Sequence, residues 1–159
     1  PFKGTRNIWI KRTEEPFEKA KPITADTTRP IPGYFWSRDG KFVLFVQDKA
    51  GDENYLVYAV DPNAGAAAGQ EVPAARNLTD LKGVRAEIYE EPRTEMDSIY
   101  VGLNDRDSSW HDLYKINIST GQRTISRINR SRPTTSCSRN SFRTWTSISV
   151  PAPKTNVYG

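Results

Sequence analysis

Five side chains able to do chemistry crowd into the segment NDRDSSWHDLY: Asp105, Arg106, Asp107, His111 and Asp112. His111 is the single histidine of the chain, so a Ser-His-Asp centre within these residues would have to be built on it. If the segment is a strand, its neighbour Asp112 points to the opposite face and cannot orient the imidazole. The pentapeptide G-x-S-x-G, which lifts a nucleophilic serine onto a strained strand-to-helix turn, does not occur. No residue is assigned a catalytic role. The same groups could ligate a metal, but a calcium loop needs D-x-[DN]-x-[DN]-G with a distal glutamate, and neither the Gly nor the Glu stands at those places. The reading adopted is loop chemistry: Asn and Asp side chains cap backbone amides, Arg106 neutralises its neighbours, and His111 bonds at a strand edge. No metal and no cofactor are assigned.

The elements that would hold this segment are short strands. In FWSRDGKFVLFVQDKAGDENYLVYAVD, Phe42 to Val46 and Tyr55 to Val60 are nearly uninterrupted apolar runs rich in β-branched and aromatic residues, the pattern of strands covered on both faces. Ser37-Arg38-Asp39-Gly40 reads as a tight turn, and Asp61-Pro62 ends the second run because Pro donates nothing to a ladder. Tyr34 to Trp36, Lys41 to Asp48, Asn54 to Asp61 and Arg76 to Thr79 then form four consecutive antiparallel strands. The same phrase recurs as Ala86 to Tyr89, Ser98 to Leu103, Asp112 to Ile118 and Arg123 to Ile125, and its later half precedes as Asn7 to Ile10 and Lys21 to Thr24. The third-strand aromatics Trp9, Tyr58 and Tyr114 fall 49 and 56 residues apart.

A four-strand phrase at this period predicts an all-β partial β-propeller of about two and a half blades, with an irregular C-terminal tail. The expected division is a half blade over 1–32, blades over 33–80 and 81–126, and a basic tail over 127–159. Two and a half blades cannot close a ring, so a piece of a larger protein is expected. The aromatics Trp9, Trp36, Tyr58, Tyr89, Tyr100 and Tyr114 are expected to pack between blades. Loops 49–54 and 105–109 should share a rim with 26–32 and 80–84.

Composition narrows the classes. At 159 residues the chain suits one domain; no apolar run is long enough for a membrane span, and Pro1-Phe2-Lys3-Gly4 has neither an initiator Met nor signal-peptide character. Cys137 stands alone, which excludes a disulfide within the chain. All 19 acidic residues and 15 of the 23 basic ones lie at or before Asp112, a balance of −4, while Leu113 onward carries eight basic residues and no acid.

The phrases YFWSRDGKFVLFVQDKAGDENYLVYAVD, RNLTDLKGVRAEIY and YVGLNDRDSSWHDLYKINISTG resemble the amino-terminal propeller of serine peptidases of the prolyl oligopeptidase family, in the acylaminoacyl and dipeptidyl peptidase-like branch. W-S-x-D-G is shared with TolB-like propellers; the longer phrase from Asn104 to Tyr114 is the more specific, and the repeat as a whole is WD40-like. The resemblance implies a parent that cleaves peptides with a triad on a C-terminal α/β-hydrolase domain outside this chain, the propeller gating access for the peptide substrate. By the same analogy, exported relatives suggest a periplasmic or secreted origin. Paired propeller glutamates hold the substrate's amino terminus in some dipeptidyl peptidases, but Glu14-Glu15 and Glu90-Glu91 match no such context and receive no role. The alternative is a non-enzymatic TolB-like propeller binding protein partners.

After Ile125 the blade phrase stops, and SRINRSRPTTSCSRNSFRTWTSISVPAPKTNVYG follows. Three explanations compete: a disordered basic extension, a nucleic-acid arm using Arg127, Arg130, Arg132, Arg139 and Arg143, or a reading frame shifted near Ile125. The shifted frame is the expectation, because arginines spread singly among Ser and Thr with no Lys cluster are weak support for nucleic acid as a partner.

Overall fold

The computed structural model describes residues 2–49 and 51–129. The basic tail lies outside the described residues from residue 130 on. Among the described residues, ten strands and one 3-10 turn, Phe17–Lys19, make up the regular structure: β1 Trp9–Ile10, β2 Lys21–Pro22, β3 Gly33–Trp36, β4 Val43–Gln47, β5 Leu56–Val60, β6 Ala75–Asn77, β7 Ala86–Glu90, β8 Ser98–Asp107, β9 Trp110–Asn117 and β10 Arg123–Arg127. They form a two-stranded sheet and two four-stranded sheets of order β3-β4-β5-β6 and β7-β8-β9-β10, every neighbouring pair antiparallel. An all-β stack of unclosed four-stranded meanders fits a partial β-propeller.

Each strand pattern is explained by what its two faces meet. Alternation along β4 and β5 sends Leu44, Val57 and Ala59 one way, where with Leu78 they join Ile99, Val101, Leu103, Ile116 and Ile118 of the third sheet in one buried cluster. The opposite face sends Val43, Phe45 and Val60 onto Ile8 and Ile23 of the first sheet, with Trp36 and Tyr58 alongside. Phe45 and Tyr58, directly paired across the ladder, stack with centroids 5.2 Å apart. The middle sheet is therefore covered twice, which is why its strands read as continuous apolar runs.

The turn Ser37-Arg38-Asp39-Gly40 forms as its chemistry demands. Gly40 takes φ +70° and donates its amide to Ser37 O at 2.8 Å, while Ser37 Oγ donates to Asp39 and accepts the Phe42 amide.

Strand ends differ from the expected bounds for a definable reason. The Ile8 amide donates to Thr24 Oγ1 and the Val57 amide to Thr79 Oγ1, both at 2.9 Å, so a side chain takes the place of the ladder partner. The expected strands over Asn7–Ile10, Lys21–Thr24 and Arg76–Thr79 are cut back accordingly to β1, β2 and β6. At the same junctions Ile23 and Leu78 return their amides to Ile8 O and Val57 O. In the third sheet the corresponding residues are Ser126 and Arg127, both exposed, and β10 instead runs on with a bulge to pair Arg127 with Leu113.

Candidate functional site

The segment holding Asp105, Arg106, Asp107, His111 and Asp112 is not the loop expected over 105–109. β8 continues to Asp107 and β9 begins at Trp110, with Asp107 paired to Trp110 across Ser108 and Ser109. A register irregularity between Leu103 and Asp107 sets this polar extension off from the apolar ladder below it. What holds it is charge. Arg106 Nε and Nη2 donate to the Asp112 carboxylate at 2.7 and 3.1 Å, a two-pronged pair whose acid side is buried and whose guanidinium is about half exposed.

The pair also grips the main chain. Asp112 Oδ1 accepts the Asn129 amide at 2.6 Å and Arg106 Nη2 donates to Asn129 O at 2.6 Å, so both polar groups of one residue are held by the two partners of one ion pair. The Arg106 guanidinium, with the Asn129 amide, holds the Asp112 carboxyl below the ordinary range although burial opposes this. The arginine is in turn pushed up by Asp112. Beside it, Tyr114 Oη donates to Asp105 at 2.8 Å; burial first, and that carboxylate second, push the phenol up to about 12.

The remaining residues of the set act separately. Asp107 accepts the Ser109 amide at 2.9 Å and closes the hairpin tip, and Asn104 accepts the Arg85 amide at 2.7 Å. His111 lies on the opposite face from Asp112, its Nε2 buried without a hydrogen-bond partner among the described residues. The hydrogen bond expected of it at the strand edge is absent at this nitrogen. Among the described residues no three His, Cys, Asp or Glu side chains converge on one point. The arrangement can fix backbone and present charge; it does not form a nucleophile, base and orienter.

Polar contacts also join neighbouring turns at the strand ends. Asp26 accepts hydrogen bonds from Gln47 and from the amides of Thr28 and Arg29, and Arg29 pairs with the buried Asp48 at 2.8 Å. Burial alone would push Asp26 up, but these donors together hold it below the ordinary range. Turn 26–29 thus sits at the end of β4 and Arg85 at the start of the Asn104–Tyr114 hairpin, and the Ala86 amide donates to Tyr55 O where β5 begins.

Of the six aromatics expected between sheets, Trp36, Tyr58 and Tyr114 pack against the two buried clusters, whereas Trp9, Tyr89 and Tyr100 belong to neither. Tyr89 is 51% exposed, because it follows the core-facing Ile88 and lies on the far face of the third sheet. Its ring rests on Gly102, where a Cβ would come within 2.5 Å of the phenol. The signal missed in the sequence is this glycine between two buried apolar residues of β8, a mark of close approach.

Dipeptidyl aminopeptidase BIII of Pseudoxanthomonas mexicana is 36% identical over 122 residues, 77% of this chain and 16% of that protein. The chain belongs to the prolyl oligopeptidase family, in its dipeptidyl peptidase-like branch. A second member of that branch, dipeptidyl peptidase family member 6 of Caenorhabditis elegans, is 26% identical over 119 residues, 75% of this chain and again 16% of the relative. The aligned part of this peptidase-family chain thus spans about a sixth of the length of either relative. No family model matches the chain.

Proposed function

We propose that this chain is part of the substrate-gating propeller of a serine peptidase that cleaves peptides through a Ser-His-Asp triad on an α/β-hydrolase domain lying outside these residues. The observation carrying the proposal is the 36% identity to a dipeptidyl aminopeptidase over 122 residues of a chain that folds as stacked four-stranded sheets. Two features support a gating rather than a chemical role. The sequence has no G-x-S-x-G, and the rim groups at Asp105, Arg106, Asp107, His111 and Asp112 are engaged in holding backbone and hairpin or lie on separate faces. The partner on this reading is the hydrolase domain of the same polypeptide, and peptides are what the propeller admits. On this reading the TolB-like and WD40-like features belong to a scaffold shared with binding propellers.

The test is to read the encoding DNA through and beyond the codon for Ile125 in the three forward frames. The proposal expects blade phrases to resume, followed by G-x-S-x-G and later Asp and His. The full product should release dipeptides from a chromogenic peptide substrate and lose that activity when the serine of the motif is replaced by alanine. Further blades and a stop, with no such motif in any frame, would overturn the proposal and favour a binding module.

A further inference from the structure

The two four-stranded sheets close their last hairpin differently. β9 reaches β10 through five residues, 118–122, whereas β5 reaches β6 through fourteen, 61–74, although Val60 and Ala75 already face each other across the ladder. The excess of nine residues matches an unbroken run of nine exposed ones, Asn63 to Glu71, the longest outside the strands among the described residues. From Ala64 to Gly69 no side chain is larger than a methyl. The polar contacts of the loop are local: Asp61 accepts the Asn63 amide at 2.8 Å, and the amides of Ala64 and Gln70 donate to Asp61 O and Ala67 O. Glu71 reaches outside it to Lys3, an exposed pair that adds little in water. Backbone with neither a ladder nor buried side chains opens readily, and exposed tips of small residues are where peptide bonds are cut. The strands on either side are locked. Tyr58, Ala59 and Val60 pair with β6, the Leu78 amide donates to Val57 O at 2.8 Å, and Thr79 Oγ1 takes the Val57 amide.

We propose that residues 64–69 are a cleavage site for an endopeptidase that takes a small apolar side chain before the cut, and that the cut chain remains one folded body. A methyl suits the shallow specificity pocket of an elastase-type enzyme. A trypsin-type enzyme has no purchase there, since no Lys or Arg stands between Lys49 and Arg76. Hydrolysis breaks the C–N bond of one of these peptide groups. The hydroxyl of water goes to the carbonyl carbon and its proton to the leaving nitrogen, so a carboxylate and an ammonium are left at the exposed tip. The pieces stay together because the buried cluster spans the cut: Leu44, Val57 and Ala59 precede it, and Leu78, Ile99 and Val101 follow it. The site goes beyond the gating reading and does not rest on it.

The experiment treats the whole 159-residue chain with a trace of pancreatic elastase, locates each cut by mass spectrometry over time, and passes the product through a sizing column with and without urea. The earliest cut within residues 2–129 is expected between Ala64 and Gly69, with the two pieces eluting together in native buffer and apart in urea. Ala64→Asp/Ala66→Asp/Ala67→Asp/Ala68→Asp should slow that cut at least tenfold. All four positions are exposed, so the variant keeps the circular dichroism of the unaltered chain. An earliest cut elsewhere within residues 2–129 would overturn the assignment of the site, as would an unchanged rate in the variant. Pieces that separate without urea would overturn the claim that the cut chain stays folded as one body.

Discussion

Asn7 and Asp112 occupy the same place in their sheets, two residues before the aromatics Trp9 and Tyr114, and each holds the backbone of the residue four beyond that aromatic's ladder partner. Asn7 takes Asp26 alone, donating to its carbonyl and accepting its amide, both at 2.8 Å. Asp112 can only accept, so it takes the Asn129 amide and leaves the carbonyl to Arg106. An amide has both a donor and an acceptor; a carboxylate needs a cation to complete the grip. The salt bridge is thus the counterpart of one asparagine.

From this follows an order of damage. Arg106→Met should lower the urea midpoint more than Asp112→Asn. The first leaves a buried carboxylate without its cation, whereas the second leaves a guanidinium that can turn to water and an amide that can still grip Asn129. Equal midpoints would contradict the assignment of the acid as the desolvated partner.

The acid limb of stability carries the same signature. The Asp112 carboxyl is depressed in the folded chain, so its contribution is fully present above the unfolded value of about 3.9 and is lost as pH falls through the lower folded value. Urea midpoints measured from pH 6 to pH 3 should fall for the unaltered chain and fall less steeply for Asp112→Asn.

The threonine locks should fail alike. Thr24→Val and Thr79→Val each strand a buried amide, of Ile8 and Val57, at a cost of about 1–3 kcal/mol. Serine at either position keeps the hydroxyl and should restore most of the loss in equilibrium unfolding.

Gly102 and Tyr89 should behave as a coupled pair. Gly102→Ala drives a methyl into the phenol ring, whose exposed side chain must swing aside, and should cost about 0.5–1.5 kcal/mol. With Tyr89→Ala already in place the same change should be nearly neutral, a difference that a double-mutant cycle reads directly.

Alkaline titration tests the pairing of Tyr114 with Asp105. Asp105→Asn should bring the phenol down from about 12 toward the ordinary value of about 10, though not all the way, because burial is the larger cause of its rise. The phenolate absorbance lost in Tyr114→Phe isolates this group from the other tyrosines.

The middle sheet was the most legible part of the chain, and the hairpin at the candidate site the least. Val43–Gln47 and Leu56–Val60 are buried on both sides, so their identity as strands is written in every residue. Asn104 to Asp107 belong to the same strand as the apolar run before them, but their register breaks there and the extension is held by Arg106 across to Asp112, and a run of charged residues reads as loop. Asp105, Arg106 and Asp112 could be picked out by type. That two of them close on the main chain of Asn129 depends on a contact 17 and 23 residues away, which no local pattern encodes. The threonine locks escaped for a similar reason: a single hydroxyl at a strand end looks like an ordinary turn residue.

The socket formed by Arg106 and Asp112 closes on a peptide group, not on a side chain. Selection at its two halves is therefore unequal in kind. A carboxylate at position 112 needs a cation at position 106, whereas position 129 need only possess an N–H, which nineteen of the twenty amino acids supply and proline alone does not. Sequence drift can run freely through residue 129 while the path of the chain there stays where the ion pair puts it.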